Sequence, residues 1–173
     1  MRIADCTEGA HAGAILDIMN EAIENSTALY DYVRRPSESM ARWFAAKRAG
    51  NFPVIGAIDD DGTLLGFASY GTFRAFPAYK YTVEHSVYVE KGRQGRGVGR
   101  ALMRELIARA ERQEYHLLVG AIDIDNRASI EFHEKLGFKH AGTIHHAGFK
   151  FGRWLDLAFY ELLLETPRAP VDG

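Results

Sequence analysis

The sequence predicts an α/β fold: a mixed central sheet flanked by helices, within one domain. Three observations lead there. Segments with apolar residues at helical spacing are interleaved with segments that alternate or run continuously apolar. A loop carrying Gly92, Gly95, Gly97 and Gly99 separates a strand-like segment from an amphipathic helical one. Residues 117–122, Leu-Leu-Val-Gly-Ala-Ile, form the unbroken apolar run expected of a strand covered on both faces.

The elements follow in order. Ile15, Ile18, Met19, Ala22 and Ile23 keep helical spacing and predict a first helix over residues 10–25. Residues 25–35 read as a loop with Tyr30 and Tyr32. Ser37, after Pro36, is placed to cap a second helix with Met40, Trp43, Phe44 and Lys47 on one face. Val54 to Ile58 is a short apolar strand. The DDDG turn at residues 59–62 then sends the chain back as a second strand over residues 64–72. Residues 79–89, rich in Tyr, Thr and Val, make a third strand. A helix over residues 98–113 buries Val98, Leu102, Leu106, Ile107 and Ala110. Beyond the strand at 117–122, a short helix over residues 126–136 is stopped by Gly137. Residues 138–144 and 155–164 are the last strands, and a tail from Thr166 is expected to fray. The domain is thus 1–165, followed by a tail at 166–173.

Composition bounds the function. At 173 residues, 47% hydrophobic and 25% charged, the chain has the profile of a soluble globular domain with its own core. A formal charge of -2 offers no general attraction to nucleic acid or anionic membrane. No apolar run reaches the roughly 20 residues of a membrane span. The first residues lack a basic stretch followed by an apolar one, so a cytoplasmic protein is expected. Cys6 is the single cysteine and reads as structural. His145-His146 has no third ligand at a known spacing, so no metal is expected.

The most informative segment runs Val87-Tyr88-Val89-Glu90-Lys91-Gly92-Arg93-Gln94-Gly95-Arg96-Gly97-Val98-Gly99-Arg100. A strand enters, a helix leaves, and the helix start offers unpaired N–H groups at a positive dipole end. Glycines let an anion approach the backbone, while Arg93, Arg96 and Arg100 add charge. This chemistry suits a pyrophosphate. A nucleotide P-loop is excluded because Gly99 is followed by Arg100-Ala101 rather than Lys-Ser or Lys-Thr. A dinucleotide fingerprint is excluded because Leu102 stands where a small residue is needed.

The spacing Gln94-x-x-Gly97-x-Gly99 resembles the coenzyme A loop of the GNAT acetyltransferase superfamily, and Asn126-x-x-Ser129 followed by Gly137-Phe138 resembles its downstream motif. The resemblance implies acetyl-CoA as cosubstrate. It implies that Val87, Tyr88, Val89, Gln94, Gly95, Arg96, Gly97, Val98, Gly99 and Arg100 bind it, with Asn126 on the pantetheine arm. Many relatives carry Tyr at the place of His133, where it is a proposed proton donor to the leaving thiolate; His133 departs from that pattern. More narrowly, residues 78–89 and 148–156 resemble the phosphinothricin acetyltransferase family, with its relatives acting on methionine sulfoximine and methionine sulfone. His133 fits this subgroup. The resemblance implies a small-molecule amine acceptor and a homodimer.

Acetyl transfer needs a neutral amine, so a base must take its proton. Glu84 is the candidate. Strand alternation sets Glu84, Ser86 and Tyr88 on one face and His85, Val87 and Val89 on the other. His85 is an alternative base and His133 a candidate acid. The N–H of Val87 or Val89 can serve an oxyanion if the strand splays. Arg74 can pair with an acceptor carboxylate, with Tyr30, Phe76, Glu84, His85 and Ser86 bordering the acceptor. The sequence therefore predicts an N-acetyltransferase for a small L-amino acid. The alternatives are an acetyltransferase for peptide amines or polyamines, and a noncatalytic acyl-CoA sensor.

Overall fold

The structure is a computed structural model and describes residues 1–172. Seven strands form one sheet in the order β1-β2-β3-β4-β5-β7-β6, and every neighbouring pair is antiparallel except β4 and β5. The strands are β1 (Arg2–Asp5), β2 (Val54–Ile58), β3 (Leu64–Thr72), β4 (Thr82–Val89), β5 (Leu117–Asp123), β6 (Lys139–Lys150) and β7 (Arg153–Leu163). Helices α1 (Glu8–Asn25) and α2 (Ser39–Ala49) cover one face; α3 (Val98–Arg112) and α4 (Arg127–Glu134) cover the other.

Two apolar clusters hold the layers together. Ile15, Ile18, Met19, Met40 and Phe44 pack from α1 and α2 onto Val54, Ile58, Leu64 and Phe67. On the opposite face Leu102, Met103 and Leu106 of α3 are fully buried against Ala68, Tyr70, Val83 and Leu118. Every residue of β2 and most of β3 are buried because both faces are covered, which is why those strands read as apolar runs.

The predicted elements are present, with differences at their edges. Strand β1 was not expected: it is a four-residue edge strand, too short to carry an alternating pattern. Ser37 does not cap α2 with its side chain; its carbonyl accepts from Met40 N–H in a turn before the helix. Tyr79 belongs to a 3₁₀ turn at Pro77–Tyr79, so β4 starts at Thr82. β6 continues to Lys150 and β7 begins at Arg153, joined by Phe151 (φ 51°) and Gly152 (φ 74°). Register shifts at 140–142 and 144–148 break the alternation of β6 and hide it in the sequence. The tail does not hang free. Thr166 bonds to Tyr115 and His116, and Val171 N–H donates to the Tyr81 hydroxyl.

Two stops behave as expected. Gly137 (φ 94°) ends α4, with Phe138 N–H reaching back to the His133 carbonyl. Gly62 (φ 89°) closes the β2–β3 turn. Cys6 is half-buried, and burial pushes its thiol up to about 12, so it stays protonated. No helix is long and apolar enough to cross a membrane.

Candidate active site

The site grows from one interruption in the sheet. β4 and β5 pair in parallel only at Thr82↔Leu117, Val83↔Leu118 and Glu84↔Val119. Beyond Glu84, β4 stays with β3 while β5 stays with β7, so the two strands diverge. Glu90 N–H donates to the Leu65 carbonyl, which fixes the alternation along β4. Even-numbered residues direct their N–H groups to β3; those of Val87 and Val89 face the gap.

A cavity of about 360 Å³ occupies this divergence. Glu84, Ser86 and Tyr88 enter it from the α1/α2 face, and His85 and Val87 from the other, as strand alternation requires. Asn126, Ser129 and His133 of the α4 segment line it, as does Tyr30. Glu84 is half-buried, and burial raises its carboxyl above the usual range, while the nearby Arg74 guanidinium acts in the opposite direction.

Two buried histidines form the cavity floor. His133 Nδ1 lies 2.7 Å from the Ser129 carbonyl, which can only accept, so Nδ1 carries the ring proton. Nε2 of His133 therefore accepts from His85 Nε2–H across 2.9 Å. The tautomers are thus set by the Ser129 carbonyl. Burial, and secondarily His133, pushes His85 down to about 3; burial likewise lowers His133. The pair is neutral at pH 7, and His133 has no N–H directed into the cavity. The expected donor role for His133 is therefore not poised in this arrangement. His85 is likewise poorly placed to act as a base, because the ring is buried and burial holds it neutral.

At the open end of β4 lies the glycine loop. Gly95 (φ 76°) and Gly97 (φ 81°) adopt left-handed backbone, and nothing stands within 4 Å of a Cβ built at either. Gly97 is the N-cap of α3, with Val98 buried beneath it. Gln94 braces the loop: its Oε1 accepts from Gly92 N–H at 2.9 Å. Arg96 and Arg100 are exposed and make no ion pair among the described residues. Free guanidinium groups, a helix start and open glycine backbone fit a pyrophosphate, and the outward amides of Val87 and Val89 fit an extended amide-bearing arm.

Some expected residues sit elsewhere. Phe76 is 73% exposed and Arg74 is exposed over the Phe73 ring; neither lines the cavity. The Tyr88 ring packs on Phe67, away from the α3 face. Sequence reasoning missed Gly120, Asp123 and Leu157, all of which line the cavity. Gly120 had a readable signal, a glycine inside an apolar run: a Cβ there would stand 2.8 Å from the His85 ring. His145 pairs with Asp156 at 2.8 Å and His146 stacks on Trp154. No group of three potential metal-ligating side chains occurs among the described residues.

The comparisons with known proteins fit this geometry. Residues 16–138 match the acetyltransferase (GNAT) family, and the chain belongs to that family. It is similar to an L-methionine sulfoximine/L-methionine sulfone acetyltransferase of Pseudomonas paraeruginosa, 43% identical and covering 90% of each chain. Among solved structures it is similar to an acetyltransferase from Acinetobacter baylyi ADP1, with 63% identity, TM-score 0.98, and 99% and 96% of the two chains covered. It is also similar to yncA of Salmonella typhimurium, an acetyltransferase solved with its cofactor acetyl-CoA. There the identity is 37%, the TM-score 0.93, and 99% and 98% of the chains are covered. The protein is an acetyl-CoA-dependent N-acetyltransferase.

Proposed function

We propose that the enzyme acetylates the α-amine of a small L-amino acid whose side chain bears a polar tetrahedral sulfur or phosphorus group. Methionine sulfoximine, methionine sulfone and phosphinothricin are the candidate acceptors. The observation that carries this reading is the cavity of about 360 Å³ between diverging strands, with Glu84 in its wall. That volume suits a small molecule. Relatives named as a methionine sulfoximine/methionine sulfone acetyltransferase and a phosphinothricin N-acetyltransferase support the same acceptor class.

The chain's residues divide the work. Gly95, Gly97, Gly99, Arg96 and Arg100 hold the pyrophosphate end of acetyl-CoA, and Asn126 with the Val87 and Val89 amides holds its arm. Bound there, acetyl-CoA supplies an activated acyl carbon. Glu84 takes the proton of the acceptor ammonium, and its raised pKa matches it better to that task. Val87 or Val89 N–H donates to the carbonyl oxygen as negative charge develops on it. Arg74, exposed outside the cavity but near enough to act on Glu84, attracts the acceptor carboxylate at longer range. His85 and His133 form a neutral floor, and the leaving thiolate takes its proton from water.

The enzyme acts in the cytoplasm as a homodimer. Ile144, Phe149, Phe151 and Trp154 are exposed together on the β6–β7 hairpin and offer an apolar face for the second copy. The test is a thiol-release assay with acetyl-CoA against amino acids, their sulfone and sulfoximine analogues, polyamines and short peptides. Turnover with the analogues supports the reading. Turnover only with peptides or polyamines moves the acceptor class, and binding of acetyl-CoA without turnover on any amine marks a sensor.

A further inference from the structure

The acceptor side of the cavity is walled by residues 27–30, a loop with no regular structure of its own. Something distant in sequence holds it. Lys150, the last residue of β6, is only 4% exposed. Its Nζ donates to three carbonyls: Ile23 at 2.7 Å, Ser26 at 2.9 Å and Leu29 at 2.6 Å. An ammonium has three donors, and all three are used. Those carbonyls come from the last turn of α1, from its C-cap and from the loop itself. α1 has no basic residue in its own last turn, so β6 provides the cation that its negative dipole end lacks.

The two residues before Lys150 contact the same loop. The Tyr30 ring lies over Gly148 so closely that a Cβ there would stand 2.7 Å from it. The Tyr32 hydroxyl donates to the Phe149 carbonyl at 2.7 Å. Three consecutive residues of β6 thus clasp residues 23–32. The clasp ends at Tyr30, a side chain that lines the cavity and whose hydroxyl is buried without a hydrogen-bond partner. A buried, unpaired hydroxyl on a cavity-lining side chain is costly unless a ligand completes it.

We infer that Lys150 is a positioning residue for acceptor recognition, fixing the wall at residues 27–30 so that the Tyr30 hydroxyl meets a polar atom of the amino-acid acceptor. This rests on the reading of the cavity as the acceptor site. Lys150 touches neither substrate; it acts through Tyr30. An arginine would not replace it, because a planar fork cannot direct donors to three carbonyls that converge on one nitrogen.

The experiment measures acceptor KM, kcat and acetyl-CoA Kd in Lys150→Met, Tyr30→Phe, the double variant and Gly148→Ala. In Lys150→Met the acceptor KM should rise about tenfold or more, the scale for losing hydrogen bonds to a charged group. Acetyl-CoA Kd should stay within about twofold, since neither Lys150 nor Tyr30 belongs to the glycine loop or the start of α3. Tyr30→Phe should raise KM in the wild-type background and add little in Lys150→Met, because the loop has already moved. A merely stabilising lysine would give additive effects. Gly148→Ala pushes Tyr30 aside with Lys150 intact and should raise KM alone, so it carries the test if Lys150→Met does not fold. Unchanged acceptor KM in folded variants, or strict additivity, overturns the inference. If the wild-type enzyme acetylates no amino acid, the acceptor reading fails first and the inference falls with it.

Discussion

The Nε2 atoms of His85 and His133 face each other at 2.9 Å, and the Ser129 carbonyl decides which of them holds the proton between them. Because the Ser129 carbonyl takes the His133 Nδ1 proton, His133 accepts and His85 donates. To act as an acid, His133 would need a second proton on Nε2 while His85 moved its own to Nδ1. His133→Phe should therefore lower kcat less than about tenfold, well under the usual scale for a general acid. A loss of a hundredfold or more in steady-state kcat would restore His133 as the proton donor.

Acid should destabilise the protein through the same pair. Both rings have folded pKa values below the unfolded value of 6.5, His85 down to about 3. Below the unfolded value the unfolded chain binds more protons, so stability is lost as pH falls from about 6.5 toward the folded values. Thermal melts at pH 7 and pH 5 should show this loss, and His85→Asn should reduce the difference. An equal difference in the variant would remove the pair from the account.

Gly120 sits beneath that pair, and Gly120→Ala should displace it. The built Cβ stands 2.8 Å from the His85 ring and 3.5 Å from His133 Nε2, in a strand buried on both faces. A destabilisation of about 1–3 kcal/mol is expected for such overpacking. Chemical denaturation measures it, and a neutral result would mean the histidines can shift freely.

An anion placed on the glycine loop should block coenzyme binding. Gly97 holds φ 81° at the start of α3 and is open to the surface. Gly97→Asp adds strain and a negative charge where a pyrophosphate is expected. Acetyl-CoA binding by calorimetry should be lost in a folded variant; retained affinity would relocate the loop's role.

Local signals carried much of this site, and distant ones did not. The glycine loop and the alternation of Glu84 against His85 are written within a few neighbouring residues, so both were legible. Tyr30 was placed at the acceptor, but the shape of the wall at residues 27–30 was not legible, because it is imposed by Lys150, 127 positions from Ile23 in the sequence. A lysine at the end of a strand ordinarily reads as a solvated charge. The run of β6 past Ile144 was hidden by bulges, and β1 by its length. Arg74 was expected to pair with an acceptor carboxylate. It is exposed, so its contribution to acceptor binding is expected to be about 1 kcal/mol or less.

The charge on Arg74 should still be visible in the pH profile. Glu84 is raised by burial and lowered by Arg74, so the acid limb of kcat/KM should lie above the ordinary carboxylate value of 4.5. Removing the cation in Arg74→Ala should move that limb to higher pH. A limb that stays put would separate Arg74 from Glu84.

The most direct test of the central claim compares Glu84→Gln with wild type in kcat/KM for methionine sulfone at neutral pH, beside acetyl-CoA Kd. Glu84 lines the cavity between β4 and β5, and its loss should lower turnover by about 10²-fold or more, the scale of a general base. Coenzyme affinity should stay unchanged. A Glu84→Gln rate near that of wild type, with methionine sulfone a good substrate, would contradict the account.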